Sequence, residues 1–266
     1  MKVNRRDFLN SLSLTALPFI PNLFHKEKKF YSNNPPAFTR KDVALLGKTD
    51  PIIVSYQKAV SAMKNLPASD KRSWISQANI HKNSCQHHLW FFLPWHRCYL
   101  YYFEQICREL SGNANFALPY WNWTSAPKIP STLWGGLNPL YDSTRVATPT
   151  STASSQQIGA TTMDKILNIK SFETFASGSS AGTTGQLEGS PHNYIHNGFV
   201  QGNMAKLGSA ALDPIFWLHH ANIDRLWSVW NARGNSNPSD SAWLGKKFTN
   251  MFFDKNGNPV SSIGVS

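Results

Sequence analysis

The sequence predicts a mainly α-helical fold with long irregular loops and little strand. Apolar residues recur at helical spacing over Pro51–Ala62, after Pro94 and after Asp213-Pro214. Stretches rich in Ser, Thr, Gly and Ala at 143–161 and 177–186 separate the later helices and read as surface loops. The 266 residues can bury a sizeable core as one domain or one and a half. Ten Trp, sixteen Phe and eight Tyr supply bulky packing groups of the kind that shield a dry site.

Taken in order, the chain opens with an address. Asn4-Arg5-Arg6-Asp7-Phe8-Leu9 precedes a mildly apolar run, Leu12 to Ile20, which matches a twin-arginine export leader over residues 1–30. That run is far short of the ~20 apolar residues of a membrane span. The expected location is therefore periplasmic or secreted. Residues 25–50 form a polar lead-in. The first helix, Pro51–Ala62, turns Ile52, Ile53, Tyr56, Ala59, Val60 and Met63 to one side and ends before Pro67. Ser69 reads as the N-cap of a second helix running to about His81. Pro94 fits the first turn of a third, which carries Trp95, Cys98, Tyr99, Tyr102, Phe103 and Ile106 inward and stops at Ser111-Gly112. Phe116–Trp123 reads as extended or irregular, and Thr162–Asn168 as a short helix. Ser190-Pro191 and Asp213-Pro214 start two more helices, the last closed by Arg233-Gly234. A short two-stranded hairpin is expected around Asn256-Gly257.

The formal net charge is +11, but beyond Lys26–Lys29 there is no basic run and no recognition motif, so nucleic acid is not an expected partner. Three cysteines, Cys85, Cys98 and Cys107, cannot form a disulfide framework. Cys98 and Cys107, nine apart on one helix, face opposite ways and read as core.

Eight of the nine histidines lie in two windows: His81, His87, His88 and His96, then His192, His196, His219 and His220. His192 and His196 share a helix face, the spacing at which two imidazoles reach one ion. A zinc peptidase would carry Glu after the first of them, where this chain has Asn193. Helix neighbours stand ~100° apart, so His219 and His220 cannot both face the ion. Pro94 puts His87 before its helix and His96 in the first turn, and His81 completes a trio. Imidazole suits copper, zinc, iron and nickel. Two trios with no carboxylate among them favour copper over di-iron, whose sites pair Glu-x-x-His motifs.

The stretch Cys85-Gln86-His87-His88-Leu89-Trp90-Phe91-Phe92-Leu93-Pro94-Trp95-His96-Arg97 resembles the first copper motif of tyrosinases, catechol oxidases and molluscan haemocyanin units. Phe116 to Trp123 is similar to the segment that follows it, and Asp213 to Trp227 resembles the second copper motif. The match spans most of residues 74–232. The resemblance, to a bacterial member of this family, implies a four-helix bundle around a type 3 dicopper centre in a catalytic domain at 31–240, with residues 241–266 as an extension lacking a shielding domain. It implies CuA on His81, His87 and His96, CuB on His192, His196 and His220, and His219 packed alongside.

By the same resemblance the Cys85-x-His87 spacing carries a thioether. Glu188 and Asn193 hold and orient a proton-accepting water, and Leu207, thirteen before His220, gates CuA. Asp224 accepts hydrogen bonds beside the site or braces its helix, and Arg97 and Arg225 brace structure. The implied activity uses O2 as co-substrate. It ortho-hydroxylates monophenols, oxidises o-diphenols to o-quinones, or does both, on a small phenolic or catecholic substrate; a copper-delivery partner is compatible with export. The rivals are a catechol oxidase without monophenol activity, a haemocyanin-like oxygen carrier and a structural zinc protein.

Overall fold

A computed structural model of the chain describes residues 38–265. The twin-arginine leader expected at 1–30, and His25, lie outside the described residues.

Helix α1 spans Pro51–Asn65. The Asp50 carboxylate caps it by accepting from the Ile52 N–H at 2.8 Å, and Pro51 stands where a missing donor costs nothing. Helix α2 spans Trp74–Ser84, later than expected: its cap is Ser73, not Ser69. Residues 67–73 are instead spent on turns, in which Asp70 N–H donates to Pro67 C=O and Ser73 N–H to Asp70 C=O. The Asp70 carboxylate holds Arg72 there at 2.7 Å. Helix α3, Phe92–Ser111, starts two residues ahead of Pro94 and ends at Gly112, whose φ of 71° is the left-handed stop that glycine allows. Its predicted inward residues are all buried, and Cys98 and Cys107 are buried free thiols.

The stretch 143–161 is more than a surface loop. Arg145 is buried in it and grips Asp213 with two hydrogen bonds of 2.8 and 2.6 Å. The same guanidinium donates to the carbonyls of Leu133 and Leu140, so one charge ties three loop segments together. A helical turn at Ser155–Ile158 then leads into α4, Ala160–Leu167.

The helix expected from Ser190-Pro191 begins earlier and is wound as a π-helix, Glu188–His192 and Tyr194–Val200. Pro191 lies inside it and cannot donate an i→i−4 bond. His192 and His196 still share a face in the wider winding. Helix α5, Ile215–Ala232, follows Pro214. Its first turn is capped by Asp213, which accepts the Ile215 N–H at 3.0 Å while holding Arg145.

Asp224 braces α5 against α3. Its carboxylate accepts from Arg97 Nε at 2.5 Å and from Arg40 Nη1 at 2.8 Å, and Arg40 also reaches Glu104 on α3. No hydrogen bond joins Asp224 to a histidine among the described residues, so of its two expected roles the brace is the one the geometry supplies. The Arg97 guanidinium lies 3.8 Å over the Trp227 ring.

The C-terminal hairpin forms as expected, with β1 (Lys247–Phe248) antiparallel to β2 (Ile263–Gly264). Asp254 closes the turn by accepting from the N–H groups of Asn256 and Asn258, and Gly257 takes a φ of 82°. This region is packed rather than appended: Phe252 lies 5.6 Å from Trp95 and 5.7 Å from Tyr102, ring to ring. No described helix is long and apolar enough to cross a membrane.

Replacing Asp213 by Ala strands a buried guanidinium and removes a helix cap. The expected loss is about 3–5 kcal/mol of unfolding free energy, read from denaturant midpoints; a loss below about 1 kcal/mol would show the pair to be dispensable.

Candidate metal centre

Four helical segments bring the histidines to one place. His81 comes from α2, His96 from the start of the second turn of α3 because that helix begins at Phe92 ahead of Pro94, His192 and His196 from the π-helix and His220 from α5, with His87 on the loop before α3. The two windows interleave: His96 and His220 stack at 4.2 Å with only 3° between their planes, and His87 lies 5.3 Å from His192.

A neutral imidazole has one N–H and one lone pair, so fixing the N–H fixes where the lone pair points. In five of the six rings Nδ1 faces an oxygen that can only accept. His81 donates to Leu207 C=O at 3.1 Å, His96 to Phe92 C=O at 2.8 Å and His196 to Met204 C=O at 2.7 Å. His87 donates to Glu188 Oε1 at 3.0 Å and His192 to Asn193 Oδ1 at 2.9 Å. Every one of these five Nε2 atoms therefore presents a lone pair.

Those lone pairs converge, and only His220, whose Nδ1 has no oxygen to fix it, can turn an N–H among them. His81 Nε2 and His87 Nε2 stand 3.3 Å apart, and His96 Nε2 and His192 Nε2 are buried with no hydrogen-bond partner. His196 Nε2 lies 3.4 Å from His220 Nε2. Converging buried lone pairs repel one another unless a cation lies among them, so the donor set fits metal binding. All-imidazole donors suit copper.

Proximity alone would group His219 with His192, His196 and His220, and Cys85 with His81 and His87. Hydrogen bonds set His219 apart from its group, while Cys85 stays beside His81 and His87 as a free thiol. Trp123 Nε1–H donates to His219 Nδ1 at 3.2 Å; that ring's own proton is then on Nε2, which leaves it no lone pair to offer. His88 is exposed, has a φ of 57° and bonds Thr184 Oγ1 through Nδ1 at 2.6 Å, away from the centre. Setting these two aside leaves the expected six.

Burial keeps five of the rings neutral. It is the leading cause that lowers His81 from 6.5 to about 3 and His196 to about 4, with neighbouring imidazoles adding to the first. His96, His192 and His220 are pushed well below the ordinary value, again first by burial. Burial also raises the Cys85 thiol to about 11. His87 is the least buried of the six, its side chain 14% exposed, which marks the side of the centre nearest solvent.

Other expected residues are placed differently. Glu188 is fully buried and already accepts from His87, from the His88 N–H at 2.9 Å and from Ser177 Oγ. Asn193 spends its oxygen on His192. In this geometry both orient ligands rather than stand free. Leu207 is 54% exposed, and it meets the centre through its carbonyl rather than its side chain. Sequence reading missed Phe92 and Phe216, the dry walls. Phe92 lies 4.9 Å from both His96 and His192, and Phe216 lies 4.3 Å from His220 and 4.8 Å from His81. Each stands four residues before a ligand on the same helix face, a signal that could have found them. The Met204 carbonyl and Ser177 have no such signal.

Known proteins resemble the chain in sequence and fold. The family model for the common central domain of tyrosinase matches residues 70–158 and 135–233. The tyrosinase HcTyr1 of Hahella sp. (strain CCB-MM4) is 35% identical over 84% of this chain and 59% of its own length. The (+)-larreatricin hydroxylase of Larrea tridentata is 34% identical over 78% of this chain and 44% of its own. The crystal structure of Grenache (Vitis vinifera) polyphenol oxidase superposes with a TM-score of 0.75 at 27% identity, covering 97% of this chain and 92% of that one. The chain spans about half the length of the curated relatives it matches.

Two expectations follow from the geometry. His220→Asn should cost one of two bound metal ions and His219→Asn neither, by metal analysis of the loaded protein; equal loss in both would undo the assignment. Without metal, the buried rings must stay neutral while the unfolded chain protonates near 6.5. Folded pKa values are depressed, so stability holds above about pH 6.5 and falls as pH drops toward about 3–4. Thermal melts of the metal-free protein from pH 8 to 4 should follow that course, and a flat profile would contradict it.

Proposed function

Because the chain belongs to the tyrosinase family, we propose that it is a type 3 dicopper oxidase that uses O2 to oxidise small phenols or catechols. The observation that carries this reading is the convergence of six imidazoles, five of them locked with Nε2 inward. His81, His87 and His96 would hold one copper, and His192, His196 and His220 the other. When bound, the pair supplies the redox chemistry with O2 that no amino-acid side chain can.

The chain's own residues supply the geometry. Carbonyls of Leu207, Phe92 and Met204, with Glu188 and Asn193, hold each ring in one tautomer and one orientation, so little freedom is left to lose on metal binding. Phe92, Phe216 and Trp95 pack against the rings and keep water from all but the His87 side. An aromatic substrate approaching there meets imidazole edges and an apolar wall, which favours a flat ring. The family resemblance adds a Cys85–His87 thioether, and the nearness of Cys85 to His81 and His87 supports it. Such a bond would fix the one ligand ring that solvent reaches.

Ortho-hydroxylation of monophenols needs a group to take the phenol proton. Glu188 and Asn193 are the candidates, yet their oxygens accept from His87 and His192. That observation favours a second reading, oxidation of o-diphenols without hydroxylation of monophenols. Export by the twin-arginine route to the periplasm or beyond belongs to the same proposal on the strength of Arg5-Arg6; fractionating expressing cells tests it.

The deciding experiment is O2 uptake by the copper-loaded protein on L-tyrosine, L-DOPA and simple catechols. Catechol turnover with two coppers per chain is expected, and L-tyrosine turnover with a lag would favour tyrosinase over catechol oxidase. Reversible O2 binding without turnover of any catechol would make the protein a carrier, and two zinc ions in place of copper would sink the proposal. Intact mass lower by two hydrogens than the sequence mass would report the thioether, and an unaltered mass would rule it out.

A further inference from the structure

His87 differs from the other proposed ligands in having no rigid helical backbone beneath it. It sits between α2 and α3, and the residue after it, His88, takes a φ of 57°, which a non-glycine residue rarely adopts. Something outside the loop must therefore hold it. The structure shows what does so: the turn at 176–185. Trp90 N–H donates to Gly178 C=O at 2.7 Å, Gly182 N–H donates to His88 C=O at 3.0 Å, and His88 Nδ1 meets Thr184 Oγ1.

That turn is itself closed tightly. Gly178 N–H donates to Thr183 C=O at 3.0 Å, and Ser177 bridges to Thr184. A Cβ on Gly185 would come within 2.4 Å of the Ala176 backbone, so only glycine lets the two strands of the turn cross so closely. At its base lies Ser177, fully buried. Its Oγ lies against Glu188 Oε2, 2.5 Å from the Ala176 carbonyl and 3.4 Å from Gly185 N–H. The other oxygen of Glu188 accepts from His87 Nδ1 and the His88 N–H. A buried carboxylate with one oxygen on the ligand and the other on a hydroxyl has its plane fixed, and with it the direction of the His87 ring.

We propose that Ser177 is a positioning residue for one metal position, acting through Glu188 to aim His87 Nε2 at the centre. The hydroxyl pins the carboxylate, the carboxylate holds His87 in the Nδ1-protonated tautomer, and the turn carries the pin to the loop. Among the described residues neither Ser177 nor the turn hydrogen-bonds a ring of the second trio, so the effect falls on the His87 side. The inference rests on the dicopper reading. Groups of this kind around a metal ligand commonly govern its affinity by 10–100-fold.

The test uses the full chain, copper-loaded, titrated with EDTA while bound copper is counted, together with thermal melts of the metal-free protein. In Ser177→Ala one of the two coppers should leave at roughly tenfold lower EDTA than in the parent, the other staying unchanged, with the metal-free melt little altered. His81→Ala, which shares the His87 position, marks which copper that is. Ser177→Thr keeps the hydroxyl and should release copper as the parent does. If Ser177→Ala does not fold, Ser177→Cys keeps the volume with only a weak donor and should show the same one-sided release. Loss of both coppers together, or of neither, would overturn the proposal. A parent protein that binds no copper would instead overturn the dicopper reading on which it stands.

Discussion

The constraint on which the rest depends is that imidazoles buried in an apolar core must each place one N–H. A ring carried away from water with its donor unmatched costs about as much as any other orphaned polar group. Five rings meet that demand by donating Nδ1–H outward to carbonyls and side-chain oxygens. The lone pairs are then left facing inward, with at most one N–H, that of His220, to accept. The same bonds that make burial tolerable thus create the demand for a cation, and folding and metal binding become two halves of one arrangement.

Much of the architecture can be read as supplying those oxygens. The π-helical winding around Pro191 sets His192 beside Asn193 and His196 above the Met204 carbonyl. The bend after His196 is strained at Gln201, whose φ is 58°, and it delivers Met204 to that ring. Asp213 serves twice, capping α5 and anchoring the long loop through Arg145, so the first turn of the helix that bears His220 is fixed at its base. Asp224 does the same for the α3–α5 contact that stacks His96 on His220. The aromatic residues fill what remains; Phe103 on Trp217 and Phe175 on Trp230 stack within 3.5 and 4.6 Å.

Periodicity made α1, α3 and α5 legible, because a long apolar stripe and a proline or glycine stop are local properties. The six histidines were legible too, since their clustering and the Pro94 punctuation are written in the chain. What escaped was long-range or a matter of winding. Nothing local distinguishes Ser69 from Ser73 as a cap until the Asp70–Arg72 turn is seen. Residues four apart, such as His192 and His196, share a face in an α-helix and in a π-helix alike, so the winding at Pro191 was hidden. Glu188 and Asn193 were singled out by motif as holders of a water, whereas their partners in the fold, His87 and His192, depend on how a loop and a helix meet. Leu207 shows the limit of reading side chains alone, because its carbonyl is what reaches His81.

The central claim is that the chain holds two ions through Nε2 atoms whose Nδ1 partners are already in place. Anomalous diffraction at the copper edge from crystals of the loaded protein tests it most directly. The account predicts two peaks, each about 2 Å from three Nε2 atoms, drawn from His81, His87 and His96 on one side and His192, His196 and His220 on the other. A single peak, a bond through Nδ1, or a bond to His219 would contradict it.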